Sequence, residues 1–74
     1  MARLPVCSGE EAIRAFVKAG WRVARQKGSH VSLVMQGNPN VLTIPLYDEL
    51  DRGLLRELIR KAVLTVEEFR KLLE

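Results

Sequence analysis

The stretch Trp21-Arg22-Val23-Ala24-Arg25-Gln26-Lys27-Gly28-Ser29-His30-Val31-Ser32-Leu33-Val34-Met35-Gln36 decides the fold. From Trp21 to Gln26 the chain alternates, with Trp21 and Val23 on one side and Arg22, Ala24 and Gln26 on the other. Lys27-Gly28-Ser29 then supplies turn chemistry that sends the strand back antiparallel to itself. Alternation resumes after the turn: Val31, Leu33 and Met35 form an apolar set, His30, Ser32 and Gln36 a polar one, and Val34 breaks the polar series. The chain's only histidine therefore opens the second strand, beside a hairpin turn, on the less apolar face.

Working outward, Gly37-Asn38-Pro39-Asn40 predicts another turn, and Val41 to Leu46 a third strand with Leu42, Ile44 and Leu46 facing the core and Thr43 opposite. On the N-terminal side, Ser8-Gly9-Glu10-Glu11 has the form of a capping box. Ile13, Phe16 and Val17 follow at helical spacing, and Gly20 offers a stop, so a helix is expected over 9–19. Past the acidic loop Tyr47-Asp48-Glu49-Leu50-Asp51, the spacing of Leu54, Leu55, Leu58, Ile59 and Ala62 predicts a second helix over 52–62. Thr65-Val66-Glu67-Glu68 is a second capping box, and Phe69, Leu72 and Leu73 mark a short helix over 66–73.

The expected fold class is α+β, in the order α-β-β-β-α(-α), as one domain over 1–74. Strands 21–26, 30–36 and 41–46 form an antiparallel meander with the helices packed on one face, the first two against each other. The terminal helix is expected to cap the core rather than form a dimer seam. The other face is left for function, with Arg22, Ala24, Ser32, Thr43 and His30 on or beside it and Lys27, Gly28 and Ser29 at the hairpin tip.

Composition sets the function classes. A chain of 74 residues folding alone buries only about 60% of its unfolded surface. With 47% hydrophobic and 28% charged residues it is expected to be globular. It has no apolar run of the roughly 20 residues a membrane span needs. Its start, Met1-Ala2-Arg3-Leu4-Pro5-Val6-Cys7, has no secretory stretch, so a cytoplasmic location is expected. One cysteine and one histidine supply neither a disulfide nor a four-ligand zinc site. No motif supports a Cys7/His30 nucleophilic pair. Asp48, Glu49 and Asp51 are expected to complement the positive end of the second helix rather than to hold magnesium.

The net charge of +3 is unevenly spread. Residues 1–30 carry Arg3, Arg14, Lys18, Arg22, Arg25 and Lys27 against Glu10 and Glu11, a balance of +4, whereas residues 31–74 set six basic against seven acidic side chains. Such a distribution suits a polyanion on the N-terminal half. Histidine takes and gives protons near neutral pH, so His30 beside a phosphate-binding surface is the minimum equipment of a ribonuclease. Arg22, Arg25 and Lys27 are the cations nearest to it, with Gly28 and Ser29 forming the turn. The backbone N–H groups of Gly53 and Leu54, flanked by Arg52 and Arg56, offer a second phosphate seat at a helix start. Trp21 belongs by parity to the core. From the residues alone, RNA cleavage, RNA docking without cleavage and a helix-turn-helix contact through residues 52–73 stay open. Glu67, Glu68 and Glu74 against Arg70 and Lys71 weigh against the last.

Gly20-Trp21, Arg25-Gln26-Lys27-Gly28-Ser29-His30, Thr43-Ile44-Pro45, Glu49-Leu50, Gly53, Leu55-Arg56, Ile59 and Lys61-Ala62 fall together within residues 8–65. In this pattern the chain resembles the HicA family, toxins of bacterial and archaeal toxin–antitoxin pairs that cleave mRNA on a fold similar to the double-stranded-RNA-binding domain. The resemblance implies that His30 is the catalytic residue, that mRNA is the substrate, and that a HicB-type antitoxin covers His30 and the basic surface; because RNA brings its own 2′-OH nucleophile, cutting is expected without metal or cofactor. Free of that partner, a monomer or weak homodimer is expected. The alternative is a non-catalytic double-stranded-RNA-binding-like module. The chain departs from the family at Val31 and Ser32, where further histidines or aromatics are usual, at Leu54, where threonine is common, and at Val63, where a helix-ending glycine is common. Without a second histidine, the group that protonates the leaving 5′-oxygen stays open among Lys27, Tyr47, a water and His30 itself.

Overall fold

A computed structural model describes residues 3–74. The elements run α1 (Gly9–Lys18), β1 (Arg22–Lys27), β2 (His30–Met35), β3 (Asn38–Pro45), α2 (Arg52–Lys61) and α3 (Val66–Leu73). The three strands form one antiparallel sheet in the order β1-β2-β3, so the α+β arrangement is the one the sequence predicts. Among the described residues no helix is long and apolar enough to cross a membrane.

The helix starts follow from side-chain chemistry. The Ser8 hydroxyl accepts the Glu11 N–H at 3.1 Å, and the Glu11 carboxylate accepts the Ser8 N–H at 2.8 Å. These bonds to Ser8 hold the Glu11 carboxyl below its ordinary pKa. Thr65 and Glu68 repeat the arrangement at α3. At α2 the cap is Asp51, whose carboxylate accepts the Leu54 N–H at 3.1 Å.

Fully buried Leu33, Leu42 and Ile44 from the sheet meet Phe16 of α1, Leu55, Leu58 and Ile59 of α2, and Phe69 of α3. The expectation that α1 packs on α2 is corrected: its main helical partner is α3. The cause is aromatic, since the Phe16 and Phe69 rings lie 5.0 Å apart and tilted by 42°, a favourable geometry for such a pair. The short terminal helix thereby becomes part of the core.

The third strand also differs from the sequence reading. The second hairpin turns on two residues, Gln36 and Gly37, and β3 begins at Asn38 rather than at residue 41. The asparagines taken for turn residues serve instead as a bridge: the Asn38 and Asn40 side-chain amides donate to the Lys61 carbonyl at the end of α2, at 3.0 and 3.3 Å. The Asn38 side-chain oxygen also accepts the Asn40 N–H. At the other end β3 stops at Pro45, so Leu46, expected in the core, lies outside the strand and is 39% exposed.

Gly9 fixes that end of β3. A Cβ at Gly9 would lie 1.9 Å from the Pro45 carbonyl oxygen, and the Gly9 N–H donates to the Tyr47 carbonyl at 2.9 Å. Only a residue without a side chain lets α1 begin so close to the strand.

Candidate functional site

The first hairpin closes through Gly28 and Ser29. Gly28 has φ +60° at the first turn position, where a type II′ turn needs glycine, and its carbonyl accepts the Gln26 side-chain amide at 3.0 Å. The turn leaves Lys27 and His30 directly opposed across the ladder.

Opposed residues of an antiparallel pair share a face of the sheet. Lys27 therefore lies beside His30, Arg25 beside Ser32 and Arg22 beside Val34, while across β3 His30 pairs with Pro45 and Ser32 with Thr43. A β-bulge between Val23 and Arg25 makes this possible, because Ala24 is inserted without a partner of its own. Strict alternation from Arg22 would have put Ala24 and Gln26 on the open face and turned Arg25 and Lys27 away. The bulge corrects that expectation: Gln26 opposes core residue Val31, and all three cations share the face of His30.

Every residue of β1, like His30 itself, is exposed. Val23, expected in the core beside Trp21, opposes buried Leu33 yet stays 50% exposed. Trp21 is buried as expected. The electrostatics of the face are simple. No Asp or Glu occurs between Glu11 and Asp48, so the sheet carries no carboxylate, while Arg22, Arg25 and Lys27 are all on β1. A polyanion laid on this face meets cations along one edge and no competing anion within the strands.

The remaining sequence candidates lie elsewhere. Gly53 and Arg56 are exposed on α2, outside the strand register that gathers the hairpin residues. The Leu54 N–H, expected as one of two phosphate donors there, is corrected to a capping role, since it already donates to Asp51. Asp51 thus complements the helix start, as the acidic loop was expected to do. Cys7 is buried, and burial, with a smaller push from Glu11, raises its thiol to about 11. A thiol kept protonated in the core makes no nucleophilic pair with exposed His30.

Two features go beyond the sequence patterns, the role of Gly9 and the exposure of Tyr47, which the sequence offers only as one candidate proton donor. Gly9 hides inside the capping box, where its role in admitting Pro45 leaves no compositional trace. Tyr47 is 56% exposed, alone among four aromatics whose other members, Phe16, Trp21 and Phe69, are buried. Its aromatic character was the only available signal.

Against families of known proteins, the model for the HicA toxin of bacterial toxin–antitoxin matches residues 9–64. The match begins at the first residue of α1 and takes in the three strands and α2, leaving α3 outside. Comparison with the curated proteins gives no match.

Proposed function

The chain belongs to the HicA toxin family of bacterial toxin–antitoxin pairs, and from that premise we propose that it is a metal-independent endoribonuclease that cuts mRNA with His30 as the general base. RNA carries its own nucleophile, so no metal-bound water is required. His30 removes the proton of a ribose 2′-OH and the 2′-oxygen attacks the adjacent phosphorus. The bond to the 5′-oxygen then breaks, leaving a 2′,3′-cyclic phosphate and a 5′-hydroxyl.

The observation that carries this reading is the register that opposes Lys27 to His30 on a face without carboxylates. Side chains so paired have Cβ atoms roughly 5 Å apart. That separation lets the Lys27 ammonium neutralise the charge gathering on the non-bridging oxygens while His30 works on the 2′-OH. Lys27 is for the same reason the first candidate to protonate the leaving 5′-oxygen. Arg25 and Arg22 continue the cationic row and hold neighbouring phosphates, and Gly28 and Ser29 set the spacing of the tip. On α2, Arg56 serves as a more distant phosphate contact through its guanidinium, one turn beyond Gly53, whose helix start the Asp51 carboxylate already occupies. The toxin's partner is a HicB-type antitoxin that covers His30 and the β1 cations, and both act in the cytoplasm.

The test compares purified wild type and His30→Ala, both confirmed to be folded, for cleavage of RNA in EDTA. Cleavage by wild type alone supports the proposal. Equal cleavage by both, or binding without cleavage by either, overturns it, the second result in favour of a non-catalytic RNA-binding module.

A further inference from the structure

We propose that Tyr47 is a nucleobase-binding residue, its exposed ring stacking on the base next to the scissile phosphate. The inference rests on the ribonuclease reading above and adds to it where the substrate's bases go.

Three observations carry it. Tyr47 is the one exposed aromatic among the described residues, and its hydroxyl makes no hydrogen bond there. Its position is fixed relative to His30. Pro45 is the ladder partner of His30, the Leu46 N–H donates to the Ser29 carbonyl at 2.7 Å, and the Tyr47 carbonyl accepts the Gly9 N–H. Two residues of chain span at most about 7 Å, so the Tyr47 backbone stays within that distance of the strand position facing His30.

The third observation is the charge on either side. Beyond His30 in one direction lie Lys27, Arg25 and Arg22. In the other, Tyr47 is followed at once by exposed Asp48 and Glu49. A sugar-phosphate backbone is drawn to the β1 edge and repelled from the Tyr47 side, which turns the bases toward the aromatic ring. An aromatic platform beside a cationic track is the arrangement that holds a single strand, because every base has a face to stack. The base of a continuous duplex is already stacked and leaves the ring nothing to bind.

The experiment measures binding of a short fluorescein-labelled single-stranded RNA that brackets the mapped cut, with His30→Ala as background so that the RNA stays intact. Stacking on one base predicts that adding Tyr47→Ala weakens binding roughly tenfold, whereas Tyr47→Phe, which keeps the ring, holds affinity near the background value. On the same RNA with an abasic residue beside the cut, the Ala and Phe variants bind equally. Thermal unfolding of each variant confirms that the fold is intact. An unchanged affinity for Tyr47→Ala overturns the proposal. An equal loss for Phe and Ala does so too, since it assigns the effect to the hydroxyl, as does a loss that persists on the abasic RNA. Those outcomes leave the ribonuclease reading standing, because it falls only if the wild type fails to cut or His30→Ala cuts equally.

Discussion

The Gly28-Ser29 hairpin and the Gln36-Gly37 hairpin each close in two residues on a glycine of positive φ, +60° and +88°. Each also loses ladder register once, between Val23 and Arg25 in one, three pairs from the turn, and between Leu33 and Met35 in the other, next to the turn. They differ in what the irregularity does. In the first, the unpaired Ala24 keeps three cations on the face of His30, and the hairpin edge stays exposed. In the second, the extra residues bring the Asn38 and Asn40 amides onto the Lys61 carbonyl at the end of α2. The same local device aims charge at solvent in one place and ties the sheet to a helix in the other. A bulge thus carries no function of its own; its consequence is set by which side chains it re-aims.

If the first hairpin is chemical and the second architectural, substitutions should separate cleanly into the two effects. The largest expected change is at His30: His30→Ala lowers the rate of RNA cleavage by about 10²- to 10⁴-fold, the usual worth of a general base. Its urea midpoint moves little, because an exposed substitution away from packing costs within about 0.5 kcal/mol. A loss of stability comparable to the loss of rate would give His30 an architectural role and break the contrast. Gly9→Ala tests the joint between the two regions. The added Cβ meets backbone at Pro45, so either α1 or the end of β3 must move, at a cost of about 3 kcal/mol in urea unfolding. Cleavage then falls as well, because Pro45 lies opposite His30. Unchanged unfolding would show that the approach relaxes freely.

The contrast also explains which parts of the molecule the sequence discloses. Alternation in β2 places Val31 and Leu33 in the core and His30 on the open face, because a central strand is paired on both sides and buried on one. The same counting fails in β1. This strand buries none of its own residues, unlike β3 at the other edge, so its sequence carries no burial pattern to mark the inserted residue, and the bulge is visible only through the partner strand. Asn38-Pro39-Asn40 misleads for a different reason: side chains that hydrogen-bond a turn can equally bond a helix end, and composition does not say which. Phe69 has helical spacing but nothing in its sequence names Phe16 as its neighbour. His30 at a hairpin tip was therefore legible, while the alignment of Arg25 and Lys27 with it was not.

Two smaller effects test the hairpins separately. Asn38→Ala removes a part-buried amide from the Lys61 carbonyl and should cost about 1 to 2 kcal/mol of stability. Cleavage measured well below the melting temperature should be unchanged. A selective loss of cleavage would mean that the second hairpin reaches the chemistry after all. In the first hairpin, Arg25→Ala and Lys27→Ala should each reduce the slope of log affinity for RNA against log salt by about 1. Arg14→Ala, which removes an exposed α1 cation paired with Glu10, is expected to leave the slope alone. Equal slopes for all three would spread the RNA contact beyond the face of His30.

The smallest predicted effect is a gain, at the junction the second hairpin holds. Val63 follows α2 with φ +59° and is 80% exposed, closing the helix through the Val63 N–H to the Arg60 carbonyl and the Leu64 N–H to the Ile59 carbonyl. That is a Schellman ending, which favours glycine at this position, and here a β-branched residue occupies it. The left-handed conformation costs such a residue about 1 to 2 kcal/mol, while glycine gives back about 0.5 to 1 kcal/mol through its freer unfolded chain. Val63→Gly should therefore raise the unfolding free energy by about 0.5 to 1 kcal/mol and leave cleavage unchanged. Lys61, whose carbonyl accepts both asparagines, lies two residues away, so the gain should be coupled to Asn38. In a double-mutant cycle with Asn38→Ala, a departure from additivity above about 0.5 kcal/mol marks the helix end and the clamp as one unit. Strict additivity would confine the strain to Val63, and a variant no more stable than wild type would mean that packing of Leu64 already offsets it.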